Sequence, residues 1–266
     1  MKNPLQNLHF LSLDVAIGAV VNHLVFSKLV GVFNIYSTVI LGTSTWLIYI
    51  LDRLLDNQQN AAILTKRHQF HAKNKQILWF LIIFLGILNF FLIFFLPFKV
   101  QIFGLFLVSL TAFYGFLVFR FPKYQPFHKE FFVTFIYAVG VIGTAFVQKK
   151  TPLNFTEFHL AFNFLLVVGQ SLLLFSWFEI LEENNSTKNM VSWLGQKTVK
   201  IFLFFSLIII ATSVPFFEGF PQKIAFTETF MAMIFFGMAI FPKVFLRSEI
   251  YRPIGEMVFI LPVILL

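Results

Sequence analysis

Residues 77–97 read Ile77-Leu-Trp-Phe-Leu-Ile-Ile-Phe-Leu-Gly-Ile-Leu-Asn-Phe-Phe-Leu-Ile-Phe-Phe-Leu-Pro97, an apolar run that holds a single amide and no charge. A helix needs about 20 such residues to cross the hydrocarbon core of a bilayer. Comparable runs recur at 10–33, 36–55, 100–119, 130–147, 159–181, 200–217, 225–242 and 251–266, the last short enough for a half-span. Backbone groups in lipid must be paired within their own segment, so repeated runs of this kind mean helices packed as a bundle. The sequence therefore predicts an all-α integral membrane protein of about nine transmembrane helices, forming a single polytopic domain over residues 1–266.

Composition points the same way: 58% of residues are hydrophobic and 12% charged, and the mean hydropathy is +0.83. The absence of cysteine excludes disulfides, thiolate catalysis and thiolate metal sites. The N-terminus carries one lysine, places Asp14 inside the first apolar run and lacks a small-residue cleavage site, so that run is expected to stay in the protein. The 41 phenylalanines are read as ordinary lipid-facing residues, which a helix centre tolerates well.

Positive charge alternates between loops. One set of ends holds Lys2, Arg53, Lys66, Arg67, Lys73, Lys75, Arg120, Lys123, Lys129, Lys188, Lys197, Lys200, Lys243, Arg247 and Arg252. The other holds Lys28, Lys99, Lys149, Lys150 and Lys223. The richer side is expected to be cytoplasmic, with the N-terminus on it, in a cell-membrane protein of multi-pass topology. Charge spread over loops in this way, despite a net +8, is not the single patch that nucleic acid requires.

Two acidic clusters close apolar runs on the richer side. Tyr49-Ile-Leu-Asp52-Arg-Leu-Leu-Asp56 ends one and Glu179-Ile-Leu-Glu182-Glu183 ends another, so five of the chain's twelve carboxylates sit here. Asp52 and Asp56, like Glu179 and Glu183, are spaced i and i+4 and lie above one another on one helix face. Tyr49 and Ser176 lie one turn earlier on those stripes, while Glu182 is turned about 100° from Glu183, towards a neighbouring helix or water. Carboxylates from two helices, interleaved with Lys and Arg, suit a diphosphate held through Mg²⁺, a hard ion usually bound by one or two carboxylates plus phosphate. A single such cluster would be read as a solvated charge pair worth little. Two matching clusters of short side chains that snorkel poorly favour function. Asp14, Asn22, Asn89, Asn163 and Gln170 are expected to be interhelical glue at about 0.6 kcal/mol each. His68 and His71 have no third ligand near them in sequence and are expected in a solvated loop.

With both clusters in view, the chain resembles the UbiA superfamily of intramembrane prenyltransferases, nine-helix bundles with an Asn-Asp-x-x-Asp-x-x-x-Asp motif ending helix two and Asp-x-x-x-Asp ending helix six. Tyr49-x-x-Asp52-x-x-x-Asp56 matches the latter part of the first motif and Glu179-x-x-x-Glu183 the second. The family's Asn and first Asp are Ile48 and Tyr49 here, and both positions of the second motif are Glu. The resemblance implies Mg²⁺-dependent transfer of an isoprenyl group from a prenyl diphosphate to an aromatic or other lipophilic acceptor within the bilayer. Asp52, Asp56, Glu179 and Glu183 would be the metal-binding, catalytic carboxylates. Tyr49, Arg53, Lys66, Arg67, Tyr114, Lys129 and Lys188 would bind the substrate. Two other readings stay open: a non-catalytic UbiA-like membrane protein, and a transporter of small molecules or lipids.

Overall fold

The structure is a computed structural model that describes residues 11–59, 66–120, 129–182, 189–246 and 250–266, with side chains throughout except at 56–59, 66–68, 118–119 and 129. The described residues are helical and contain no strand. In chain order the helices are α1 (Leu13–Leu29), α2 (Ile35–Gln59), α3 (Lys66–Lys73), α4 (Lys75–Leu92), α5 (Phe98–Arg120) and α6 (Lys129–Phe146). There follow α7 (Phe155–Glu182), α8 (Met190–Leu194), α9 (Gln196–Ser213), α10 (Gly219–Ile240), α11 (Pro242–Leu246) and α12 (Tyr251–Val258).

Six helical stretches are long and apolar enough to cross a bilayer: Ile35–Leu55, Lys75–Phe95, Phe98–Leu117, Phe155–Glu182, Gln196–Phe216 and Gly219–Ile240. This is a helical, multi-pass membrane architecture. The remaining apolar runs are helical but shorter than a full span. α1 has 17 residues, between Ser12 and Gly31, both at positive φ. α12 has eight residues and gives way to a 3₁₀ turn over Leu261–Leu265 that contains Pro262. Proline punctuates the long helices as well. The run quoted above ends at Leu96, whose ψ of 147° is the extended conformation that a following proline demands.

α7 is the axis of the bundle and packs against α6, α8, α9, α10 and α12. Leu160, Phe164, Val167, Leu174 and Phe178 along it are wholly buried. α4 and α5 form the outer wall, where Phe80, Phe84, Phe90, Phe91, Phe94, Phe98 and Phe106 are exposed, the arrangement expected of side chains that meet lipid. The expected glue is observed. Asn89 joins Thr43 and Ser44 of α2, Asn163 donates to Ser213 Oγ (2.9 Å), and Gln170 donates to Ser206 Oγ (2.6 Å) and Leu203 O (3.2 Å) of α9.

The last segment enters the bundle between α1, α7 and α10. Two glycines make room for it. A Cβ on Gly18 would stand 2.8 Å from Phe259 Cβ, and one on Gly255 would stand 2.5 Å from Phe175 Cε1. Asn22 fastens the segment by donating to Phe259 O at 2.7 Å, and the Phe259 ring packs against Tyr137, Phe164 and Phe235. This docking carries α12 to the ends of α2 and α7.

Candidate functional site

α2 is held against α4 by Ile50, Leu54 and Leu78, all essentially without solvent exposure. With one face fixed there, Tyr49, Asp52 and Arg53 occupy other faces of the same two turns, each partly buried. Arg53 Nε is buried and makes no hydrogen bond among the described residues. The charges of Glu256 on α12, Arg53, Asp52 and Asp14 on α1 all bear on the Tyr49 hydroxyl. Glu256 and Tyr49 bear in turn on Tyr137 of α6. The carboxyl end of α2 thus faces α12 across a polar layer.

The end of α7 faces α12 as well, and here the contacts are direct. Arg252 Nη2 forms an ion pair with Glu179 Oε1. Arg252 Nε donates to the Tyr251 hydroxyl (3.2 Å), which itself donates to Glu182 Oε2 (2.8 Å). The guanidinium lies 5.9 Å from the centre of the Phe175 ring and 5.5 Å from that of Tyr251, within cation–π range. Tyr251 is stacked on Phe178 at 4.7 Å, which fixes its hydroxyl. Arg252 also feels Glu256, one turn along α12. Arg252 therefore pairs directly with the end of α7, while Glu256, one turn along the same two-turn helix, acts on Tyr49 of α2 through its charge. Glu182 faces a neighbour, one of the two directions its spacing allowed.

A further carboxylate braces this region. Glu130, at the start of α6, is buried and accepts from Ser176 Oγ (2.8 Å) and Met190 N (3.2 Å). Asn189 caps α8 through Ser192 N (3.0 Å) and donates to Ser176 O (2.8 Å). The turn preceding Glu179 is consequently tied to both α6 and α8.

The other residues expected at a site fall as follows. Asp56 lies on α2, Lys66 and Arg67 on α3 and Lys129 at the start of α6, with side chains outside those described. Glu183 and Lys188 lie outside the described residues. Tyr114 of α5 is stacked on Phe132 of α6 at 4.8 Å, packing between these two helices. His71 belongs to the helical α3 and is buried, where a solvated loop was expected. Among the described residues no three His, Asp or Glu side chains are grouped as a metal cage. The donors that are present, Asp52 and Glu179, are hard carboxylate oxygens of the kind Mg²⁺ prefers.

No family model matches the chain, and neither does any curated protein or solved structure. The candidate site therefore stands on its own geometry. Arg252, Tyr251, Glu256 and Glu130 are additions to the residues the motifs predict. Only Arg252 carried a signal in the sequence, as one of the cations on the richer side.

Proposed function

We propose that the chain is a divergent UbiA-like membrane enzyme that transfers an isoprenyl group from a prenyl diphosphate to a lipophilic acceptor. The reading rests on one observation: α12 places Arg252 in an ion pair with Glu179 of α7 and Glu256 within electrostatic reach of Tyr49 on α2. Mg²⁺ bound at Asp52 and Asp56, and at Glu179 and Glu183, would neutralise the departing diphosphate. Arg252 supplies a fixed, preorganised cation beside Glu179 for the same developing charge. Arg53, Lys66, Arg67, Lys129 and Lys188 supply further positive charge on the same side of the sequence pattern, which this reading places in the cytoplasm. The charge of Glu256 acts on the hydroxyls of Tyr49 and Tyr137, and Tyr49 stands where the family's first motif Asp would be.

In this reading the isoprenyl tail would lie among the apolar helices. The partners in this reading are the prenyl diphosphate, the acceptor and the bilayer itself. The test is release of inorganic diphosphate from geranylgeranyl and farnesyl diphosphates by the chain in nanodiscs, with Mg²⁺ and a panel of lipophilic acceptors. Release that depends on acceptor and falls at least tenfold in Asp52→Asn and Glu179→Gln supports it. Absence of release with every donor and acceptor, or release unchanged by both substitutions, rejects it.

A further inference from the structure

α10 carries a carboxylate that the site above does not use. Glu228 is the tenth residue of a 22-residue helix and is 3% exposed, and neither side-chain oxygen has a hydrogen-bond donor among the described residues. Beside it is the amide of Asn163 on α7, itself wholly buried. Asn163 Nδ2 gives one hydrogen to Ser213 Oγ at 2.9 Å, and the Ser213 hydroxyl gives its own to Ile210 O at 2.6 Å. Asn163 Oδ1 is buried without a donor. Three acceptor oxygens thus converge, while a single amide hydrogen remains to serve them.

Among the described residues no cation acts on the Glu228 carboxyl. α7 contributes His159, one turn before Asn163, between the rings of Phe155 and Phe217 and with Nε2 buried and unbonded. α1 contributes His23, which is engaged with Val141 O and Ser27, and Lys28, which donates to Leu265 O and Leu266 O. The Ile210–Ser213 turn of α9 and the Leu261–Leu265 turn carry no titratable side chain. Asn163 is the polar group that acts on the Glu228 carboxyl.

One added proton satisfies the whole set. A neutral Glu228 would donate its O–H to Asn163 Oδ1, while its carbonyl oxygen would accept the remaining Asn163 N–H, giving a reciprocal acid–amide pair. An ionised Glu228 would leave a charge without a partner inside a membrane span, a costly arrangement. We propose that Glu228 and Asn163 form a proton-binding site in the bundle, in the half of α7 remote from Glu179. Asn163 and Glu179 are separated by about 24 Å along α7 at 1.5 Å per residue. His159 stands one turn outward on the same helix. Beyond it, at the helix start, the Lys149–Glu157 pair (2.6 Å) marks the rim.

Glu228→Gln is the decisive variant, because its amide can reproduce both hydrogen bonds without titrating. Folding takes up a proton if Glu228 is neutral in the bundle and ionised in the unfolded chain, so rising pH favours the unfolded chain. Unfolding is followed in mixed micelles between about pH 5 and pH 8, above the carboxyl's unfolded range. The wild-type unfolding constant should rise against that of Glu228→Gln by up to roughly tenfold per pH unit. Infrared spectra at neutral pH should show a protonated carboxyl C=O stretch in the wild type that Glu228→Gln lacks. Parallel pH profiles, or a wild type without that stretch, overturn the proposal. So does a stability gap that follows Na⁺ concentration in place of pH, since that is the behaviour of an ionised carboxylate holding a metal cation.

Discussion

Replacing Arg252 by Met keeps most of the side chain's length and apolar stem while removing its charge and all of its donors. The loss falls on Glu179, whose side chain is 35% exposed, and on the Tyr251 hydroxyl, which loses the Nε contact. Removing one partner of a fully buried ion pair costs about 3–5 kcal/mol. Water reaches Glu179, and an exposed pair is worth about 0–1 kcal/mol, so this pair belongs between those limits, at about 1–2 kcal/mol. The rings of Phe175 and Tyr251 add about 0.5–1 kcal/mol for the lost cation–π contact. The expected cost is therefore about 2 kcal/mol, read as a shift of the unfolding midpoint when the micelle-embedded protein is titrated with SDS. Pairing Arg252→Met with Glu179→Gln in a double-mutant cycle isolates the ion pair, and a coupling of about 1–2 kcal/mol is expected. A coupling near zero, with Arg252→Met as stable as the wild type, would refute the bridge between α12 and α7 and the site built on it.

Four further outcomes follow from the same geometry. Gly255→Ala forces a Cβ against the Phe175 ring and should cost about 1–3 kcal/mol by SDS titration. Gly86→Ala, with nothing within 4 Å, should be neutral or slightly stabilising in its helix interior. Gln170→Leu breaks two bonds between α7 and α9 and should lose about 0.6–1.2 kcal/mol, because interhelical hydrogen bonds in membranes are individually weak. Asn189→Ala removes both the α8 cap and the bond to Ser176 O, for about 1–2 kcal/mol, and hydrogen exchange over Met190–Leu194 should speed up with it.

The helices were the most legible part of the sequence, because in lipid an apolar run of sufficient length has few other folded forms. Their lengths were less so: the run at 10–33 becomes a 17-residue helix stopped at Gly31, and 251–266 breaks around Pro262. The motif spacing placed Tyr49 with Asp52 and left Glu182 two options, since both are questions of angle around one helix. Arg252 and Glu256 could not be matched to Glu179 and Tyr49 in this way. They lie over 70 residues from Glu179 and over 200 from Tyr49, and only the docking of α12 through Gly18 and Gly255 brings them together. Glu228 was hidden for the opposite reason. One carboxylate in a run such as 225–242 leaves the hydropathy of that run high, and its partner Asn163 resembles the other amides that join helices.

The central claim is that the acidic ends of α2 and α7 grip one diphosphate together. Calorimetric titration of geranylgeranyl diphosphate into the chain in nanodiscs, with Mg²⁺ and then with EDTA, tests it most directly. Asp52→Asn, Glu179→Gln and the double variant are measured beside the wild type. Saturable binding that needs Mg²⁺ and is lost in either single variant is the predicted result. Binding indifferent to EDTA, or lost in one variant and unchanged in the other, would contradict a ligand shared between the two helix ends.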